Sequence, residues 1–360
     1  MSMESLIDLN DCTVEEWDKL VHLALDIREH PRTYMHCCDG KVMATLFYEP
    51  STRTQMSFQA AMLRLGGQII GFDNPMNSSV SKGETLRDTM RIVSGYSDVI
   101  AMRHPEEGAP KAASLYAGCP VINAGDGGHL HPTQTLTDLV TLTAVKGRLD
   151  GLTVGLCGDL KYGRTVHSLL KAMSRFPGNR FYLIATPELA VPDYVRHILK
   201  AAGTPYREVR TLDECIGELD VLYMTRIQQE RFVSKADYEK QKGVYVLDRE
   251  KLSHARPDMY ILHPLPRVDE ITADIDDDPR ALYFRQAGYG MYARMALILR
   301  ILEGKFRTEA GPATREEAMS CSSPRCITHF EKYLPHLYKT EADGSLACAY
   351  CDAHAGVGAR

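Results

Sequence analysis

The sequence predicts an α/β protein of two doubly wound, parallel-sheet domains with a cleft between them, followed by a small C-terminal zinc module. Three observations carry this expectation. Short apolar runs alternate with helical patterns in two series that meet near Arg148-Leu149-Asp150-Gly151. Polar residues suited to an anion fall just beyond the carboxyl ends of the apolar runs, where open parallel sheets bind ligands. Four cysteines in two close pairs lie near the C-terminal end.

In chain order, Thr13 followed by Glu16 reads as a capping box, and Trp17, Leu20, Val21, Ala24 and Ile27 behind it have helical spacing. The next stretch organises the rest. Val42, Met43, Ala44, Leu46 and Phe47 suit a buried strand that Pro50 ends, and Phe58, Ala61, Met62 and Leu65 then recur at i, i+3, i+4 and i+7. Ser51, Thr52, Arg53 and Thr54 therefore sit at a helix N-terminus, where unpaired N–H groups and the helix dipole favour an anion. An ordinary N-cap is the structural alternative. A strand at 68–72 and a polar loop carrying Lys82 follow, then a helix at 85–94 and a strand at 99–102. Next come a strand at 121–123, a glycine-rich turn at 124–128 and a helix at about 133–146. The second series has strands at 152–157, 181–185 and 221–224, with helices at 162–174 and 194–202.

A chain of 360 residues with a formal net charge of −5 has room for two domains. It shows no basic stripe, so neither nucleic acid nor an anionic membrane is expected as a partner. The first thirty residues lack a basic signal region and no apolar run approaches a membrane span, which points to a cytoplasmic protein. Any anion site must then be local. Arg53, Arg103, His131, Arg164 and Arg226 each follow a strand, and separate strand ends supplying four arginines and a histidine imply a polyanionic small molecule. Each has a structural alternative: Arg103 as a surface cation, His131 as a core histidine with His129 as competitor, Arg226 and Gln228 as a solvated loop. No G-x-G-x-x-G turn, Walker loop or serine triad is present, so nicotinamide, ATP and covalent-serine chemistry are not expected.

FYEPSTRT, AMRHP, HPTQT, GDLKYGRTVHS, MTRIQ and HPLPRVDE, in this order, resemble the motifs of the aspartate carbamoyltransferase catalytic chain over roughly residues 3–305. The resemblance implies transfer of the carbamoyl group of carbamoyl phosphate to the amine of L-aspartate, as in pyrimidine biosynthesis. It implies a carbamoyl-phosphate domain at 1–135, an aspartate domain at 136–291 and a helix at 292–305 packing back on the first domain. It further implies a homotrimer whose active sites are shared between subunits. By matching position, Ser51, Thr52, Arg53 and Thr54 would hold the phosphate. Thr54, Arg103 and His131 would polarise the carbonyl oxygen, and Gln134 with the Pro264-Leu265 backbone, ahead of Pro266, would bind the amide. Arg164, Thr165, Arg226 and Gln228 would bind the aspartate carboxylates, and Ser79 and Lys82 would reach in from a neighbour. Glu49, Arg164 and Arg231 resemble the ion-pair set that closes the domains. Two features depart from the pattern: Gln55 stands where an arginine commonly follows STRT, and the shorter loop leaves Ser78, Ser79 and Ser81 as alternatives. Catalysis needs no cofactor.

Residues 306–320 read as a polar linker, and 321–360 as a module built on Cys321-x4-Cys326 and Cys348-x2-Cys351. Four thiolates in two close pairs suit a structural Zn2+, with two disulfides as the alternative that a cytoplasmic setting disfavours. CSSPRCITH and CAYC resemble the zinc domain of the aspartate carbamoyltransferase regulatory chain. The nucleotide-binding domain of that chain has no counterpart here, so the module is expected to support homo-oligomer contacts, including a higher homo-oligomer, rather than nucleotide sensing. Rival readings are an ornithine carbamoyltransferase, which would carry HCLP rather than HPLP, and a non-catalytic scaffold.

Overall fold

Thr13 and the apolar stripe behind it set the first helix. The Thr13 hydroxyl accepts a hydrogen bond from the Glu16 N–H at 3.0 Å, and α1 (Val14–Glu29) buries Trp17, Leu20, Val21, Ala24 and Ile27. The expected capping box forms only on the threonine side. The Glu16 carboxylate instead accepts two bonds of 2.8 Å from the guanidinium of Arg300. A bidentate ion pair to a distant helix displaces the local cap because it is the stronger, charge-assisted contact. The computed structural model describes residues 4–227, 234–309, 311–341 and 344–356. The chain divides into two units, residues 1–136 with 291–360, and residues 137–290.

In the first unit, after the short α2 (Pro31–Tyr34), come β1 (Val42–Phe47), α3 (Thr52–Arg64), β2 (Gln68–Phe72), α4 (Leu86–Val93), β3 (Val99–His104), α5 (Ala109–Ser114) and β4 (Val121–Asp126). The strands form one parallel sheet in the order β2-β1-β3-β4. Register sets Leu46 opposite Met102 and Phe47 opposite Arg103. Thus β3 runs one residue pair further than its apolar run indicates, and Arg103 lies within the strand rather than after it. Similarly, β4 continues through Ala124, Gly125 and Asp126, where the glycines read as a turn. The helix α6 (Pro132–Lys146) then leads into the second unit.

There β5 (Thr153–Cys157), α7 (Arg164–Met173), β6 (Arg180–Ile184), α8 (Asp193–Ala201), β7 (Tyr206–Val209), β8 (Val221–Met224), α9 (Lys235–Gln241), α10 (Arg249–Ser253) and β9 (Tyr260–Leu262) follow. The sheet is again parallel, in the order β7-β6-β5-β8-β9. Two doubly wound parallel sheets are thus the architecture the alternation predicts. β7, with the sequence Tyr-Arg-Glu-Val, was not foreseen because an edge strand exposes charged residues. β9 is three residues long and gives no periodic signal. Within this unit Asp138 accepts from Tyr223 Oη at 3.1 Å and Gln286 Nε2 at 2.6 Å, which satisfies a fully buried carboxylate. Gln286 belongs to α11 (Tyr283–Leu302), whose later turns lie in the first unit. Among the described residues no helix is long and apolar enough to cross a membrane.

The C-terminal segment contains β10 (Thr314–Arg315), β11 (Ser320–Cys321), β12 (Leu337–Thr340), β13 (Leu346–Cys348) and β14 (Ala355–Gly356). β10-β12-β13 form one antiparallel sheet and β11-β14 another. The stretch that composition marks as a linker therefore carries β10 and the start of β11, and Phe306 in it is buried. The module does not hang free. Ile327, Leu334, Tyr338 and Tyr350 share one hydrophobic core with Leu46, Met90, Met102, Ala109 and Ala113 of the first unit. Backbone bonds of 2.9 Å join Glu107 to Arg325 and Ile327. Gly108, with φ of +81°, permits the contact: a Cβ there would lie 2.5 Å from the Cβ of Tyr350.

Candidate active site and metal centre

In the first sheet the chain leaves β1 for β2 on one side and returns to β3 on the other. The connections after β1 and β3 diverge there, which is the switch point beyond the strand ends at which open parallel sheets bind ligands. Residues 48–54 follow β1, and Arg103 lies beside them in β3. Ser51 holds the N-cap position of α3 but makes no side-chain cap. Its hydroxyl bonds that of Thr54 at 3.1 Å, so no side chain covers the helix's first N–H groups.

Arg103 is 8 % exposed. Its Nη2 is 2.8 Å from Glu49 Oε2. Burial pulls the Arg103 pKa down, while Glu49 and Asp126 oppose the shift. The Arg53 pKa is also lowered, by burial first and then by the charge of Arg103. Both remain protonated. Two guanidiniums held near each other beside an open helix N-terminus suit a ligand carrying more than one negative charge.

His131 is buried at 7 % exposure and precedes α6, whose first turn carries the half-buried Gln134. A residue that sequence reasoning missed brings these groups together. A Cβ on Gly125 would sit 2.7 Å from Arg103 Nη1 and 3.4 Å from His131 Cδ2, and φ there is +121°. The backbone must be bare for both side chains to converge on it. The only sequence signal was a glycine in a stretch read as a turn. Arg294, also unforeseen, underpins the site from α11: its guanidinium contacts Ser57 Oγ and Thr133 Oγ1, each at 3.2 Å.

The polar loop after β2 carries two 3₁₀ turns, Pro75–Asn77 and Ser79–Lys82. Ser78 Oγ donates to Pro75 O and Ser81 Oγ to Ser78 O, at 2.7 and 2.8 Å. Ser79 and Lys82 are exposed.

The second sheet repeats the arrangement. Its order diverges between β5 and β8, and register sets Cys157 opposite Met224. Arg164 and Thr165 open α7, whose N-cap Gly163 offers no side chain, and Arg226 follows β8. Helices α1, α4 and α10, by contrast, are capped by Thr13, Thr85 and Asp248. The turn beyond β9 adds Pro264, Leu265 and Pro266, with Leu265 at φ +53° and a cis bond to Pro266. Its shape is set from below. His263 Nδ1 accepts from the Leu265 N–H at 2.7 Å, so Nε2 carries the proton and donates to Glu270 Oε1 at 2.6 Å. Burial raises the Glu270 pKa, but His263 and the Val268 N–H outweigh it and hold the carboxyl below its usual range. Gln228 and Arg231 lie outside the described residues.

Cys321, Cys326, Cys348 and Cys351 are buried, with sulfurs all within 4.8 Å of one another. No cysteine in the chain forms a disulfide. Cys321 and Cys351 are 3.4 Å apart and Cys326 and Cys348 3.8 Å, close to the edge of a tetrahedron of about 2.3 Å metal–sulfur bonds. Thr328 Oγ1 donates to Cys326 Sγ at 3.2 Å, and bonds from the other three sulfurs lower the Cys326 pKa strongly. The set can hold a soft divalent metal ion.

Two family models match the chain. One, for the aspartate/ornithine carbamoyltransferase carbamoyl-P binding domain, spans residues 4–144. The other, for the Asp/Orn binding domain of the same enzymes, spans 150–301. Over 298 residues the chain is 59 % identical to an aspartate carbamoyltransferase catalytic subunit of Clostridium perfringens, covering 82 % of this chain and 97 % of that one. The chain belongs to the aspartate carbamoyltransferase family. It is therefore an enzyme, a carbamoyltransferase. A Clostridium acetobutylicum catalytic subunit of the family is 58 % identical over 299 residues, 83 % of this chain and 97 % of its own. Among solved family structures, the catalytic subunit of M. jannaschii aspartate transcarbamoylase superposes with a TM-score of 0.79 at 46 % identity, covering 84 % of this chain and 99 % of its own. A Trypanosoma cruzi aspartate transcarbamoylase in complex with carbamoyl phosphate and aspartate gives 0.78 at 39 %, covering 83 % and 96 %.

Proposed function

We propose that the chain transfers the carbamoyl group of carbamoyl phosphate to L-aspartate, giving N-carbamoyl-L-aspartate and phosphate, with one substrate held by each sheet's crevice. The observation that carries this reading is the Arg53–Arg103 pair beside the uncapped start of α3, matched by Arg164 and Arg226 at the corresponding point of the second sheet.

In this reading the first-turn N–H groups of α3 with Ser51, Thr52, Arg53 and Thr54 hold the phosphate. Thr54, Arg103 and His131 stabilise charge on the carbonyl oxygen. Gln134 and the carbonyls of Pro264 and Leu265, fixed by the turn to Pro266, accept from the amide. Arg164, Thr165, Arg226 and Gln228 take the two carboxylates of aspartate. The neutral amine attacks the carbamoyl carbon, the C–O bond to phosphate breaks, and the amine's proton leaves with the phosphate. Every step is charge stabilisation and alignment by this chain's own groups, and none calls on a metal.

Ser79 and Lys82 complete the phosphate site of an adjacent subunit in a homotrimer. Ser78 and Ser81 spend their hydroxyls inside the loop, which favours Ser79 among the three. Met56, Leu63, Ile70 and Met76 expose apolar surface on α3, on β2 and in the loop beside them, consistent with subunit contacts there. The four-cysteine site takes structural Zn2+ and resembles the regulatory-chain zinc domain in its spacing. Chelation should change sedimentation of the assembly; an unchanged species would count against an oligomer-supporting role. The function itself is tested by measuring carbamoylated product with aspartate and with ornithine as acceptors. Product from aspartate alone supports the reading, and product from ornithine overturns the acceptor assignment.

A further inference from the structure

The segment between β4 and α6 delivers His131, and it is wound around one buried carboxylate. Asp126 accepts from Gly108 N at 2.7 Å, Leu130 N at 2.9 Å and Asn123 Nδ2 at 3.2 Å, and lies 2.9 Å from His129 Nδ1. The other nitrogen of His129 lies 3.1 Å from Asp352 Oδ2, beyond the family-matched residues. Asp352 Oδ1 is in turn 2.6 Å from Lys339 Nζ. With a carboxylate at each ring nitrogen, His129 is an imidazolium clamped between two units of negative charge.

We propose that Asp352 is a positioning residue. Through His129 and Asp126 it fixes residues 124–131, and hence the approach of His131 and Arg103 at Gly125, so that the C-terminal module braces the carbamoyl-phosphate half of the site. The inference rests on the reading of that half as the carbamoyl-phosphate site. The same module braces a second segment. Glu331 Oε1 accepts from the Leu86 N–H at 2.9 Å and Tyr333 Oη from the Arg87 N–H at 2.8 Å, fixing the start of α4 just after the loop of Ser79 and Lys82. The two braced segments carry or adjoin groups assigned to different parts of carbamoyl phosphate: His131 at its carbonyl oxygen, and the loop of Ser79 and Lys82 at its phosphate.

Asp352 has φ of +60°, so Asp352→Gly removes the carboxylate without backbone strain, and Asp352→Asn keeps an oxygen acceptor without the charge. Both are made in the full chain and checked for wild-type zinc content. The expected result for Asp352→Gly is a carbamoyl phosphate KM raised roughly five- to tenfold, an aspartate KM within about twofold, and faster hydrogen exchange in residues 121–135. Asp352→Asn should shift the carbamoyl phosphate KM by about threefold. An unchanged ratio of the two KM values together with unchanged exchange, in whichever variant keeps its fold and zinc, overturns the proposal. So does an equal rise in both KM values. If the wild-type chain makes no carbamoyl aspartate, the functional reading fails. Exchange in 121–135 with and without inorganic phosphate then still decides whether Asp352 braces the segment.

Discussion

The two sheets solve the same problem with different materials. Each places an Arg-Thr pair at the uncapped start of a helix beyond one central strand, and a second arginine at the end of the neighbouring strand. In the first, the second cation is buried and tied to Glu49, a histidine converges on it, and Asp126 organises the segment that brings the histidine there. In the second, Arg164 and Arg226 are half-buried, and the added wall is a neutral proline turn held by His263 and Glu270. The lesson is one of charge. On the assignment proposed above, the first half would stabilise developing charge on a reacting carbonyl and so needs cations fixed in advance, whereas the second would bind two carboxylates and needs complementary donors and a shape.

Breaking the first half should have the largest effect. Arg53→Ala is expected to lower kcat/KM by about a thousandfold or more, and near-normal steady-state kinetics would refute its phosphate role. Arg226→Ala should raise the aspartate KM roughly a hundredfold and leave carbamoyl phosphate binding within about twofold. Equal losses for both substrates would mean that the two sheets do not divide the substrates between them. Mixing Lys82→Ala with Arg103→Ala subunits sharpens the first half further. In the proposed homotrimer, random mixing should restore activity at about one site in four, and an inactive mixture would remove Lys82 from the neighbour's site.

The smallest effect belongs to the turn of the second half. The folded Glu270 carboxyl titrates below its ordinary value of 4.5. Its contribution to stability is therefore present above the unfolded pKa and lost as pH falls through the folded one. Glu270→Gln should cost about 1–2 kcal/mol at pH 7 and flatten the loss of stability below about pH 4.5, as read by urea unfolding across pH. A variant with the wild-type acid profile would show that the His263–Glu270 pair does not hold the turn.

Much of this was legible in advance because the signals are local. The 3.6-residue spacing of Phe58, Ala61, Met62 and Leu65 announces α3, and the polar cluster before it announces where that helix starts, since both follow from backbone geometry within a few turns. What escaped were elements whose reason lies elsewhere in the fold. Arg103 extends β3 because Glu49 and the buried strand end receive it, and Gly125 is a glycine because two side chains from other segments crowd it. Glu16 has a capping residue's position and a tertiary ion pair's use.

The sequence by itself determined two parallel α/β sheets, the strand ends that carry the charged groups, and four cysteines in two close pairs whose spacing suits a metal, because periodicity and spacing are properties of neighbouring residues. Only the tertiary structure decided that the C-terminal segment is no tethered appendage. It shares a core with the first unit and, through Asp352, reaches the histidine two residues from His131. Contacts between positions more than two hundred residues apart leave no mark on local patterns. They exist only once the sheet has brought its strand ends together.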